Sequence, residues 1–218
     1  MKRLLVMLLA LCVLLAATVQ AEPAAQPDDA AEAAALPRVG DVVNGFEALE
    51  IRDFPLVGAQ IVRFEHRKTG AELYYIANDD TNRAFDLTFF TDAIDNTGLP
   101  HVFEHATLSG SEKYPSTALW FNLVYQCYNT FMNAATGQRL TYYPIASLSE
   151  AQLLKLADFY TDSCFNPLVL REESIYRTEA WRYRLADADA DLTIEGTVYS
   201  EMLGATTLQR RASYNAMR

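Results

Sequence analysis

Cations, cysteine and histidine are all scarce in this chain. Eighteen lysines and arginines stand against 28 aspartates and glutamates, a net charge of −10, and that balance repels nucleic acid and favours cationic partners. Of the three cysteines, Cys12 lies in the apolar run near the start. Cys127 and Cys164 have no third soft ligand near them in sequence, which argues against a second, thiolate-held metal. Their neighbours are apolar, so a disulfide and a pair of buried thiols both stay open. The apolar stretch from Leu4 to Ala21 is short for a membrane span, and no basic stop-transfer residues follow it. The run Asp187-Ala188-Asp189-Ala190-Asp191 lacks the glycine and the distant glutamate of an EF-hand, so it reads as a solvated turn and not a calcium loop.

The start of the chain reads as an address. Met1-Lys2-Arg3, the apolar stretch and the small residues Val19 and Ala21 predict a secretory signal peptide over residues 1–21. The expected protein is therefore exported, periplasmic or secreted, with no membrane attachment after cleavage. Residues 22–38, rich in Ala, Pro, Asp and Glu without periodicity, predict a disordered lead-in. Folding is expected over residues 39–218, about 180 residues, enough for one domain with its own core. Loss of Lys2 and Arg3 would take the net charge from −10 to −12, and cationic peptides suit that surface.

Two of the three histidines fall in one short run, His101-Val102-Phe103-Glu104-His105. On a helix, residues four apart lie one above the other, so both imidazoles reach one Zn²⁺. A zinc with three protein ligands keeps a fourth position for water, and a carboxylate beside that water is placed to take its proton and pass it to a leaving amine. Glu104 is the candidate base. Pro100 suits the first turn of such a helix and Ser109-Gly110 its end. Val102, Phe103 and Ala106 form an apolar face, with His101, Glu104, His105 and Leu108 on the other stripe, and a helix of this composition is expected to be buried. The remaining histidine, in Phe64-Glu65-His66-Arg67, has Val62 where a preceding ligand would stand and reads as an ordinary strand residue.

The third ligand must come from elsewhere. Glu201 is preferred, because it follows a turn at Gly196 and sits near the start of a final helix with Val198, Met202 and Ala205 around it; Glu179 and Glu195 are rivals on chemistry alone. Before the motif, residues 59–66 and 72–77 read as a hairpin, and Phe85, Leu87 and Phe89 alternate as a third strand of the same sheet. After it come a helical segment around 117–128 and a strand over 139–146 that Pro144 marks as an edge or an end. Ser149 and Gln152 form a capping box for a helix ended by Asn166-Pro167. Residues 171–180 read as helix and 181–185 as alternating strand. No glycine or proline after Gly204 ends the last pattern before Arg218, so the chain reads as cut in mid-element.

Gly98-Leu99-Pro100-His101-Val102-Phe103-Glu104-His105, with Leu108-Ser109-Gly110-Ser111 and Lys113-Tyr114-Pro115, closely resembles the inverted zinc peptidases, or inverzincins. The nearest branch is similar to presequence protease, within the superfamily of pitrilysin, insulin-degrading enzyme and mitochondrial processing peptidase. Further matches follow in order at residues 129–134, 143–147, 179–183 and 196–202. The resemblance implies an α+β domain of the LuxS/MPP-like metallohydrolase type, a mixed, mainly antiparallel sheet covered by helices. It implies zinc held by His101, His105 and Glu201, Glu104 as base, a structural Glu179, and a sheet edge at Asn133, Ala134 and Ala135 where substrate adds as a strand. Hydrolysis of short, unfolded peptides is the implied reaction. Two departures stand out. Ala135-Thr136-Gly137-Gln138-Arg139 replaces the bulky aromatic and the Tyr-Pro-Asp-Arg run usual in that branch, and active relatives carry further domains that close over the first. This chain is expected to need those missing carboxy-terminal domains. The competing expectations are a non-catalytic scaffold subunit and a zinc-binding fragment inactive without its second half.

Overall fold

A computed structural model describes residues 36–205. The expected signal peptide, nearly all of the lead-in and the expected mid-element ending lie outside the described residues. The rest divides into two compact units, with the boundary along the chain between Asp79 and Asp80.

The first unit is a four-stranded antiparallel meander: β1 (Val42–Val43), β2 (Phe46–Phe54), β3 (Ala59–His66) and β4 (Glu72–Ala77). Asn44 and Gly45 both take positive φ, 49° and 86°, the two-residue turn whose twist matches the strands it joins. Between Ala48 and Glu50 the register of β2 against β3 slips, a bulge that turns Leu49 outward. Ala48, Val62 and Phe64 form the small core. The β3–β4 hairpin is the one expected from the sequence. His66 ends β3, its Nδ1 2.8 Å from Thr69 Oγ1 and its ring packed on Phe46, an ordinary strand residue as expected.

The second unit carries every candidate site residue. In chain order it holds β5 (Arg83–Phe90), α1 (Leu99–Leu108), α2 (Leu119–Gln126), β6 (Phe131–Met132), β7 (Ala135–Thr136), β8 (Leu140–Ser147), α3 (Glu150–Phe165), α4 (Glu173–Glu179), β9 (Arg182–Arg184), β10 (Thr193–Glu195) and α5 (Thr197–Ala205). β5 does not extend the earlier hairpin as expected. It pairs antiparallel with β8 along its whole length, from Arg83↔Ser147 to Phe90↔Leu140, because local alternation sets a strand's faces but not its partner.

β8 is also not an edge. β5 takes one side of it and β6 and β7 share the other. Pro144 is accommodated because the unpaired step of the outer segment, Asn133–Ala134, falls opposite it, where a ladder would need an N–H that proline lacks. Asn133 N instead donates to Pro144 O at 3.1 Å.

α3 starts as read, with Ser149 Oγ accepting from Gln152 N, and packs Leu153, Leu156, Phe159 and Tyr160 against β8 residues Tyr143 and Ile145. Tyr160, fully buried, accepts from Trp120 Nε1 at 2.9 Å and donates to Asn133 O at 3.0 Å, so the core holds the outer segment in place. Cys127 and Cys164 are both free thiols packed on this core.

Candidate metal centre

The approach to α1 is built by short-range chemistry. Asp95 Oδ1 accepts from the backbone N–H and the hydroxyl of Thr97, at 2.9 and 2.6 Å, and Gly98 takes a left-handed φ of 71° at the helix start, a conformation glycine adopts without a Cβ penalty. Pro100 then sits in the first turn. Val102, Ala106 and Leu108 are buried as expected, and so is Glu104, but Phe103 is 37% exposed and His101 and His105 are half-buried.

The two histidine rings meet edge to face one turn apart, their centroids 5.0 Å from each other. Glu201, on α5, reaches both, with Oε1 3.6 Å from His101 Nε2 and Oε2 3.4 Å from His105 Nε2. One ligating atom from each of the three residues falls within a 4.8 Å span. Donors at about 2.0–2.1 Å from a tetrahedral zinc stand roughly 3.4 Å apart, so the two carboxylate-to-imidazole separations suit that ion, and two imidazole nitrogens with a carboxylate fit it in chemistry.

A small tertiary contact delivers Glu201. Val102 of α1, Ala180 at the end of α4 and Val198 of α5 form a separate buried cluster. Gly196 makes the approach possible: a Cβ there would lie 2.1 Å from Ala180 O. Thr197 Oγ1 also donates to Thr178 O at 3.3 Å.

The rivals are separated by position. Glu195 is paired with Arg182 and Arg184 across β9 and β10. Glu179 stands behind His105, Oε2 3.5 Å from Nδ1, and its Oε1 accepts from Ser109 Oγ at 3.1 Å. The hydrogen bond between His105 and Glu179, the largest cause, holds the His105 pKa above the ordinary histidine value against the opposing effect of burial. Burial pushes the Glu179 carboxyl up, but bonds from His105, Thr197 and Ser109 outweigh it and leave its pKa below normal. Glu179 thus turns His105 so that Nε2 faces the other donors.

Glu104 is 6% exposed, and its Oε2 accepts from Thr136 Oγ1 on β7 at 2.6 Å. Neither Thr136 nor Ser109 was expected at the site: Ser109 stood out in the sequence only as the helix end and within the family motif, and Thr136 only within the departure at residues 135–139. Asn133, Ala134 and Ala135 lie on the outer segment of the sheet, Asn133 exposed and the two alanines half-buried. A cavity of about 450 Å³ opens beyond Phe103 and Thr107 of α1, lined also by Thr141 and Tyr143; none of His101, Glu104, His105 or Glu201 lines it.

The family model described as insulinase (peptidase family M16) matches residues 90–216, more than half of the chain. A mitochondrial presequence protease of Kluyveromyces lactis is 36% identical over 169 residues, 76% of this chain and 17% of its own length. Presequence protease 1, chloroplastic/mitochondrial, of Arabidopsis thaliana is 35% identical over 160 residues, 73% of this chain and 15% of its own. The chain therefore spans about a sixth of the curated relatives it matches. A crystal structure of pitrilysin aligns with a TM-score of 0.50 and 20% identity, over 57% of this chain and 14% of that one, a likeness of fold. These relatives overturn the expected periplasmic or secreted location: they are named for mitochondria and chloroplasts. An address is read by a receptor, so the apolar composition of the first residues did not determine the compartment.

Proposed function

The chain belongs to the insulinase family, peptidase family M16, and from that premise we propose that it is the zinc-holding domain of a metalloendopeptidase acting on short, unfolded peptides. The observation that carries this reading is the convergence of His101, His105 and Glu201 within 4.8 Å, with the buried carboxylate of Glu104 next to His105 on the same helix.

His101, His105 and Glu201 would hold the ion, with Glu179 fixing the tautomer of His105 through Nδ1. Zinc, when bound, polarises a scissile carbonyl and makes water acidic near neutral pH. Glu104 accepts the proton from the attacking water and returns it to the departing amine nitrogen. The outer segment at Asn133, Ala134 and Ala135 receives the substrate as an added strand through main-chain hydrogen bonds, which read backbone more than sequence. The acidic surface, net charge −10, favours cationic peptides. Because the chain spans about a sixth of its relatives, further domains of the same enzyme would hold the substrate in register.

The test measures zinc per chain and cleavage of an unstructured cationic peptide for the parent, Glu104→Gln and Glu201→Ala. About one zinc in the parent is expected, with chelator-sensitive cleavage. Glu104→Gln should keep zinc and lose cleavage, and Glu201→Ala should lose both. A folded parent without zinc, or cleavage that survives Glu104→Gln, overturns the reading. Zinc without cleavage would point to the fragment that is inactive alone.

A further inference from the structure

Glu104 has two carboxylate oxygens in different surroundings. Oε2 accepts the Thr136 hydroxyl at 2.6 Å. Oε1 has no donor among the described residues. Since Ser163 Oγ is the one fully buried side-chain polar atom left unpaired there, Oε1 keeps contact with solvent although the residue as a whole is buried.

Thr136 is itself tied further back. Its Oγ1 lies 3.2 Å from Thr141 Oγ1, its cross-strand partner on β8, and Thr141 Oγ1 lies 2.7 Å from Thr91 Oγ1. Proton counting gives this chain a direction. An ionised carboxylate only accepts, and each threonine hydroxyl has one proton to give. Thr136 spends its proton on Glu104, so Thr141 donates to Thr136 and Thr91 donates to Thr141. All three dipoles point at Oε2, an arrangement in which each bond strengthens the next. Thr141 is buried and Thr136 half-buried, and both are β-branched with a stiff χ1.

We propose that Thr136 is a positioning residue for Glu104: by anchoring Oε2 it leaves Oε1 as the single oxygen that takes the proton from water and hands it to the amine. This rests on the peptidase reading for its chemical consequence, but the anchoring itself does not. Thr136 sits next to Ala135, but it meets Glu104 through its side-chain hydroxyl while an added strand is held by main-chain groups, so the two roles are separable.

The experiment has two arms on the zinc-loaded full chain. In the first, NMR follows the Thr136 hydroxyl proton. It is expected to be slow to exchange with water in the parent and to lose that protection in Glu104→Ala; an unprotected hydroxyl in the folded parent, or protection unchanged in Glu104→Ala, overturns the proposal. In the second, Thr136→Val and Thr136→Ser are compared on a peptide. Thr136→Val should keep its zinc and lose kcat by roughly ten- to hundredfold at near-constant KM, and Thr136→Ser, which keeps the hydroxyl, should recover most of it. A rise in KM with kcat intact would assign Thr136 to the substrate strand and overturn the proposal. If the zinc-loaded parent cleaves nothing, the chain is the fragment that is inactive alone, and the hydroxyl-exchange arm still decides whether Thr136 anchors Glu104.

Discussion

His105 is defined as much by the carboxylate behind it as by the donors in front. Glu179 faces Nδ1 at 3.5 Å, and removing such an outer partner of a ligand typically costs tenfold to a hundredfold in metal affinity. Glu179→Ala should therefore weaken zinc by roughly that factor in a chelator competition while the chain stays folded; unchanged affinity would show that His105 needs no such support. Cys164 illustrates the opposite case, a group silenced by its surroundings. Burial pushes its thiol up to about 12, and the thiolate is the reactive form. At pH 8.5 it should alkylate far more slowly in the native chain than in urea. Because the folded pKa lies above the unfolded one, its contribution to stability is whole below about pH 9 and falls as the pH climbs towards 12.

Two glycines, Gly196 and Gly204, set the behaviour of the last helix. Gly196 precedes α5 where the chain passes against Ala180 O; a Cβ would lie 2.1 Å from that oxygen and 2.7 Å from Trp181 Cα. Both obstacles are backbone, so Gly196→Ala must push α5 off α4 and carry Glu201 away from the histidines. A loss of about 1–3 kcal/mol in denaturant unfolding is expected, together with weakened zinc binding. Gly204, inside α5, has nothing within 4 Å of its virtual Cβ. Gly204→Ala should stabilise by about 0.5–1 kcal/mol and leave zinc binding intact. If both variants behaved alike, the close approach at Gly196 would not be what delivers Glu201.

Across the whole molecule, the proposed zinc ligands are spread in sequence but confined to one unit. His101, His105 and Glu201, with Glu179 behind His105, all lie after Asp80, and β1 to β4 all lie before it. Zinc bound to the native state alone adds stability only to what its ligands hold together. Removing it should speed amide hydrogen exchange in α1, α4 and α5 while β2 and β3 exchange as before. Equal loss of protection in both units would mean that they unfold as one cooperative block.

Much of this was legible in the residues themselves. The helix carrying His101, Glu104 and His105, the capped start of α3 at Ser149, the β3–β4 hairpin and the turn at 187–191 each depend on neighbours within a few positions, and short-range sterics and hydrogen bonding suffice to specify them. The family could be read from ordered motifs for the same reason. The partner of β5 could not, nor the central place of β8 with Pro144 inside it, because strand pairing is set by which faces bury together at long range. The compartment was misread from an apolar start. The Thr136 anchor on Glu104 arises only when β7 crosses the face of α1, 32 residues apart in sequence. The sequence by itself determined which side chains are able to bind a metal and move a proton; the tertiary structure decided which carboxylate meets the histidines, which stands behind them and which oxygen of Glu104 is left free, since those depend on distances that only packing sets.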